Sequence, residues 1–136
     1  MIYLLIFTYI FYSLNITGFR IKKFILVTSC LKDEPIDLVF WVPYSAAIVT
    51  FAFAPNVGQW FLFGIFSFFH IVCFFSTYRY WIWKNNKKAK DYNRHFSHTH
   101  HIIKPRESIP TPDTFHIIVF SLMLINLISI IIFLII

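Results

Sequence analysis

Charge is missing from three long stretches of this 136-residue chain. Residues 1–19, 38–78 and 114–136 contain no Asp, Glu, Lys or Arg, so all twelve basic and all six acidic residues lie within 20–37 or 79–113. A soluble globular domain keeps charged side chains on every surface element. Uncharged runs of this length, in a chain that is 58% hydrophobic, exclude that class and indicate a multi-pass membrane protein.

These runs also lack the alternation of apolar and polar residues that a transmembrane β-barrel strand needs, so helices are predicted. One crossing takes about 20 residues, and the stretch 38–78 is long enough for two, separated by a turn around Asn56. We predict one all-α integral membrane domain, 1–136, with a central helical hairpin. Its four transmembrane helices are predicted at about 1–19, 37–54, 58–83 and 113–136.

Basic residues are absent from the predicted turn near residue 56, whereas loop 20–37 carries four and loop 84–113 carries seven. Four crossings place both basic loops on one side of the membrane and both termini on the other. The positive-inside rule puts the loops on the side from which the chain is inserted. That side is the matrix in a mitochondrial inner membrane and, in the alternative, the cytoplasm beneath a bacterial plasma membrane.

Local sequence signals add detail on the first apolar run and on the two charged loops. No basic residue precedes the apolar run 1–19, so we expect it to be retained as an anchor. Phe24–Leu31 is apolar but too short to span, which predicts an interfacial segment. In the basic His- and Pro-containing loop 84–112, three prolines predict an extended strap over 102–112. Thr111 is the predicted cap of the last helix, with Pro112 at its first position.

Small residues are scarce, with three Gly and five Ala, although membrane helices favour them at contacts. Ala46, Thr50 and Ala54 repeat every four residues and are predicted contacts. Small or polar residues also repeat every three positions from Gly64 to Ser76, and of these Ser67, His70 and Cys73 are predicted to face a neighbouring helix. Ile occurs 23 times and Phe 18 times, and A+T-rich codons encode both. In this compositional bias, together with its small size and strong hydrophobicity, the whole chain resembles membrane subunits encoded by protist mitochondrial genomes.

No Asp, Glu or Lys is predicted inside the membrane, which argues against a proton-pumping subunit, because ion relays need ionisable groups at depth. His70 is the only histidine near the middle of a predicted crossing. One interpretation makes it an axial ligand of haem b or a hydrogen-bond donor to a quinone. The other makes it a neutral histidine that hydrogen-bonds a neighbouring helix.

Four histidines occur within seven residues of the second basic loop: His95, His98, His100 and His101. Four imidazoles this close are candidate ligands for Zn or Cu. We favour the simpler interpretation, a polar loop that contacts lipid headgroups or a partner, and therefore predict no metal site and no bound cofactor.

No nucleophile–base pair, glycine-rich phosphate loop or carboxylate pair is present in the sequence. The prediction is a non-catalytic accessory subunit of a large membrane complex, a mitochondrial respiratory-chain complex or ATP synthase from an organism with an A+T-rich organellar genome. Its expected partners are other membrane subunits and phospholipid such as cardiolipin at the basic face, with no nucleic acid. The alternatives are a redox anchor that binds haem b or quinone through His70, and a small independent transporter.

Overall fold

The computed structural model describes residues 1–33 and 37–136, most of which are helical. The four predicted apolar helices all form, with ends within about three residues of those expected, whereas residues 34–36 of the first predicted loop lie outside the described part. In chain order the elements are α1 (Ile2–Thr17), β1 (Phe19–Ile21), β2 (Phe24–Val27), α2 (Cys30–Asp33), α3 (Asp37–Phe53), α4 (Pro55–Ile82), α5 (Asn86–His95) and α6 (Thr114–Ile135).

Two of these helices, α4 with 28 residues and α6 with 22, are long and apolar enough to cross a membrane. The other two apolar helices are shorter, 16 residues in α1 and 17 in α3. At a rise of 1.5 Å per residue they are roughly 24 and 26 Å long, slightly less than the hydrocarbon core of about 30 Å.

The four apolar helices form an antiparallel bundle in which each packs against two others. α1 contacts α3 and α6, and α4 contacts the same two helices on the opposite side. Because the chain runs up and down in turn, both charged segments lie at one end of the bundle. A hydrogen bond joins them there, from the backbone N–H of His100 to the carbonyl oxygen of Ile25 over 2.7 Å.

Polar side chains inside the bundle bond mostly to neighbouring helices. Tyr44 of α3 is buried and its hydroxyl donates to the Leu5 carbonyl of α1 over 3.1 Å. Between α6 and α1, the Asn126 amide donates to the Thr8 hydroxyl over 2.7 Å, and both side chains are buried. These bonds join helices far apart in sequence, so they fix the pairing in an interior where apolar packing alone is weakly specific.

The turn between α3 and α4 is tighter than predicted. Only Ala54 lies between the two helices, because Pro55 takes the first helical position, where its missing N–H is not needed. The carbonyl of Ala54 accepts bonds from Val57 and Gly58. α3 is also continuous through Pro43.

Two expectations about the ends and surfaces of the helices are wrong. The fold is not purely α-helical, since β1 and β2 pair as a small antiparallel sheet with Phe19 opposite Val27, so half of the apolar segment Phe24–Leu31 is a strand. The predicted contact stripe on α3 is not buried within the chain, because Ala46 and Ala54 are exposed. Ala47, one position along, is fully buried instead.

Candidate functional site

A partly open cavity of about 480 Å³ lies at the charged end of the bundle. α5 forms one wall, and the ends of α1, α3, α4 and α6 form the others. The lining is divided by chemistry. Its apolar part comes mainly from bundle side chains such as Phe40, Phe69, Val72, Val119 and Phe120, and its polar part includes Ser76, Thr77, Tyr80, Lys88, Asp91, Tyr92, His95 and His116.

α5 presents one face to this cavity. Lys88, Asp91, Tyr92 and His95 are three, four and seven residues apart, the spacing that places side chains on a single helix face, and all four line the cavity. The helix begins at an Asn85 cap, whose side-chain oxygen accepts the Lys88 N–H over 3.0 Å.

Asn93 anchors α5 to the proline-rich strap. Its side-chain oxygen accepts the Thr111 N–H over 2.8 Å, and its amide donates to the carbonyls of Arg106 and Ile109 over 2.6 and 3.2 Å. On the same strap, the Pro110 carbonyl accepts the Trp81 indole N–H over 2.9 Å. These bonds tie α5 to the strap and the strap to α4, and so maintain the wall of the cavity.

At the floor of the cavity, α1 meets the start of α3. The Asn15 amide donates to the Asp37 carboxylate, and the Tyr12 hydroxyl donates to the Asp37 backbone carbonyl over 3.3 Å. Asp37 is the first residue of α3, where the helix dipole favours a negative charge. The bundle therefore places a carboxylate at its edge, held by the Asn15 amide, while Tyr12 bonds the backbone of the same residue.

A π-helical segment interrupts α4 where it passes the cavity. It covers Phe74–Tyr78 and supplies Ser76 and Thr77 to the lining. A π segment inserts an extra residue per turn and is found often at functional sites, since it redirects side chains from the regular helical face. Here two residues with hydroxyl side chains, Ser76 and Thr77, line the cavity from this segment.

On the last wall, Asp113 caps α6. Its carboxylate accepts the His116 backbone N–H over 2.9 Å and lies 2.7 Å from His116 Nδ1 and from the Thr99 hydroxyl. Burial alone would raise the pKa of Asp113, but the hydrogen bonds and charge of His116, with the Thr99 hydrogen bond, hold that pKa below its ordinary value. The capped turn fixes Phe115 and His116, which both line the cavity.

His70, the predicted haem or quinone ligand, does not line this cavity. It lies beside the Met123 backbone of α6, and its Nε2 is buried with no hydrogen-bond partner among the described residues. The structure therefore places His70 against a neighbouring helix.

The four histidines considered as metal ligands point to different partners. His100 Nδ1 lies 2.7 Å from the Thr114 hydroxyl, and His101 Nε2 lies 2.9 Å from the Phe96 carbonyl. His95 packs on the Phe96 ring, whereas His98 is exposed. Within residues 1–33 and 37–136, no group of three or more His, Cys, Asp or Glu is placed to hold a metal ion.

Sequence reasoning missed most of the side chains that the structure does bring together. The sequence pattern places Asp37 at a helix end and Lys88 and Asp91 in the basic loop. The available signal was the spacing of polar residues along Asn86–His95, which matches a helix, but the segment looks like a solvated basic run.

Comparisons of this chain with protein-family models, with curated proteins and with solved structures returned no match.

Proposed function

We propose that all four apolar helices cross a membrane and that the chain is a non-catalytic accessory subunit of a large membrane complex. The observation that carries this proposal is the arrangement of exposed side chains. α1, α3, α4 and α6 all carry large exposed apolar residues, while the charged residues of the described part lie at one end of the bundle. A surface of that kind needs lipid or apolar subunits around it.

The proposed host is a respiratory-chain complex or ATP synthase of a mitochondrial inner membrane, with residues 20–37 and 84–113 facing the matrix. The support is the Ile- and Phe-rich, Gly-poor composition together with the small, strongly hydrophobic chain. In this placement the bundle packs among other membrane helices. The end of the molecule that carries α5 docks on a matrix partner.

Anionic phospholipid is the second proposed partner. A surface groove between α5 and the strap is lined by Lys90, Arg94 and Arg106, together with Asp91 and Glu107. Three basic side chains near the expected headgroup level are suited to a phosphate group, as in sites for cardiolipin and related lipids.

Native gel electrophoresis in mild detergent tests the assignment to a complex. A tagged copy expressed in its own membrane should migrate with several other membrane subunits, identified by mass spectrometry, in an assembly much larger than the 16.3 kDa chain. Migration as a stable monomer after the mildest solubilisation would contradict the proposal.

Cysteine accessibility tests the four crossings. In a chain with Cys30 and Cys73 replaced by serine, single cysteines at Lys23, Asn56 and Lys87 are treated with a membrane-impermeant maleimide in sealed vesicles. We expect Asn56→Cys to react from the outside, and Lys23→Cys and Lys87→Cys to react only after permeabilisation. Equal labelling of positions 23 and 56 from one side would show that α3 does not span.

A further inference from the structure

The cavity beneath α5 is lined by charges of both signs, which restricts what it can hold. Among the described residues, the lining includes the permanent cation of Lys88 and the carboxylates of Asp37 and Asp91. The imidazole of His116 is already engaged by Asp113. An anionic headgroup would face two carboxylates, and a cationic one would face Lys88 across a confined space. A neutral head that both donates and accepts hydrogen bonds can bond to charges of both signs in this lining.

The walls favour a planar head. Phe40, Phe69, Phe120 and Tyr80 line the cavity, and aromatic side chains pack well in stacked and edge-to-face geometry against another ring. The volume of about 480 Å³ lies within the range of roughly 300–1,000 Å³ that is usual for sites of small organic ligands.

The cavity also has a route for an apolar tail. Val72 and Ser76 of α4 line it, and both are exposed, which indicates that the cavity opens at this surface of α4. In the membrane placement proposed above, that surface faces lipid. A molecule with its head under α5 can therefore extend a hydrocarbon chain past Val72 into the bilayer.

We propose that this cavity binds the ring of a membrane quinone. The carbonyl oxygens of the ring accept from Lys88 and the Tyr80 hydroxyl, and the hydroxyls of the reduced form donate to Asp37 or Asp91. The ring lies between the aromatic walls, and the tail leaves beside Val72. The site is separate from His70, and the proposal concerns binding only, so it adds a ligand to the accessory subunit without assigning it a reaction.

Photolabelling of the full-length chain in membranes tests the proposal. Membranes are irradiated with an azido-quinone that carries a short alkyl tail, and the chain is then purified and the labelled residues are mapped by mass spectrometry. We expect label on the Ser76–Tyr80 segment and on α5, and its loss in the presence of excess decylubiquinone. Label spread evenly over the lipid-facing helices, without competition, would overturn the site.

Two matched pairs of variants sharpen the result. Lys88→Met should weaken competition by decylubiquinone about tenfold, the effect of losing one hydrogen bond to a charged group, whereas Lys87→Met, at a residue of α5 outside the lining, should leave it unchanged. Ser76→Trp should block labelling by filling the opening, and Ser121→Trp on the exposed side of α6 should not. Equal effects within either pair would overturn the proposal.

Different results would reject the proposed ligand class and the proposed membrane placement. Competition by a long-chain amine or by phosphatidylglycerol, but not by decylubiquinone, would reject the quinone and leave the cavity with a charged ligand. If cysteine accessibility shows fewer crossings while the label still maps to α5 and is competed, the site stands and the four-span proposal does not.

Discussion

Replacing Gly58 with alanine should lower the free energy of unfolding by about 3 kcal/mol or more, at the upper end of what overpacking costs. A Cβ at this position would lie 2.2 Å from Phe51 Cα and 2.3 Å from Phe51 N. These are backbone atoms of the neighbouring helix, so no side-chain rotation relieves the clash. α3 and α4 would have to separate near their turn, and the tight connection through Ala54 leaves little freedom to do so.

Gly64→Ala provides the matched control, because a Cβ there meets no atom within 4 Å. This substitution should be neutral or stabilise by roughly 0.5–1 kcal/mol, the helix-propensity difference between the two residues. The measurement is unfolding in mixed micelles of increasing SDS content, followed by circular dichroism. A Gly58→Ala protein as stable as the Gly64→Ala protein would show that the two helices do not approach this closely.

The two glycines illustrate how far the sequence predicts this fold. Absence of charge located all four apolar helices to within a few residues, since desolvating a charge costs so much that the pattern is strict. It did not distinguish Gly58 from Gly64. Gly58 is buried and Gly64 is exposed, because which face of a membrane helix is buried depends on its neighbours when every face is apolar.

A different reason explains why the sequence does not predict the hairpin of β1 and β2. Its turn is formed by Lys22 and Lys23, and Lys22 has a φ of 53°. Turns of this kind usually contain Asn or Gly, which adopt positive φ at little cost, and two lysines carry no such signal. Gly18, with a φ of 75°, ends α1 immediately before β1.

The cavity was the least predictable feature. It exists because α5 forms a wall at the end of the bundle, and α5 is held to the strap there by bonds from Asn93 to residues 13 to 18 positions away. Single-sequence patterns carry no information about such distant partners. The sequence did predict a helix start near Pro112, but with Thr111 as the cap. That choice was wrong, because Asp113 caps α6 while Thr111 is bonded to Asn93.

Replacing Asp113 with alanine should destabilise the protein by about 2–4 kcal/mol, combining the loss of a helix cap with the loss of an acceptor for buried donors. The Asp113 side chain is fully buried, and its removal leaves the His116 N–H and Nδ1 without their partner. Asn85→Ala is the control, since it removes the exposed cap of α5 and should cost no more than about 1 kcal/mol.

The pH dependence of unfolding provides an independent measurement on the same residue. The pKa of Asp113 is lower in the folded protein than in the unfolded chain, so the unfolded state binds more protons around the unfolded value of about 3.9. The contribution of the carboxylate is complete above that pH and is lost as the pH falls through the lower folded pKa. Asp113→Asn keeps a capping oxygen but cannot titrate, so its stability should vary less than that of the wild type below pH 4.

These variants also test whether the α6 cap positions the cavity. Phe115 and His116 occupy the first turn after Asp113, so fraying of that turn should disturb the lining. Asp113→Ala should therefore reduce quinone photolabelling at the cavity under conditions where the bundle is still folded, and Asp113→Asn should largely retain it because the cap survives. Asn85→Ala frays a different helix start and should affect α5 alone. If Asp113→Ala destabilises the protein yet labels normally, the first turn of α6 does not contribute to the site, and the ligand is held by α4 and α5.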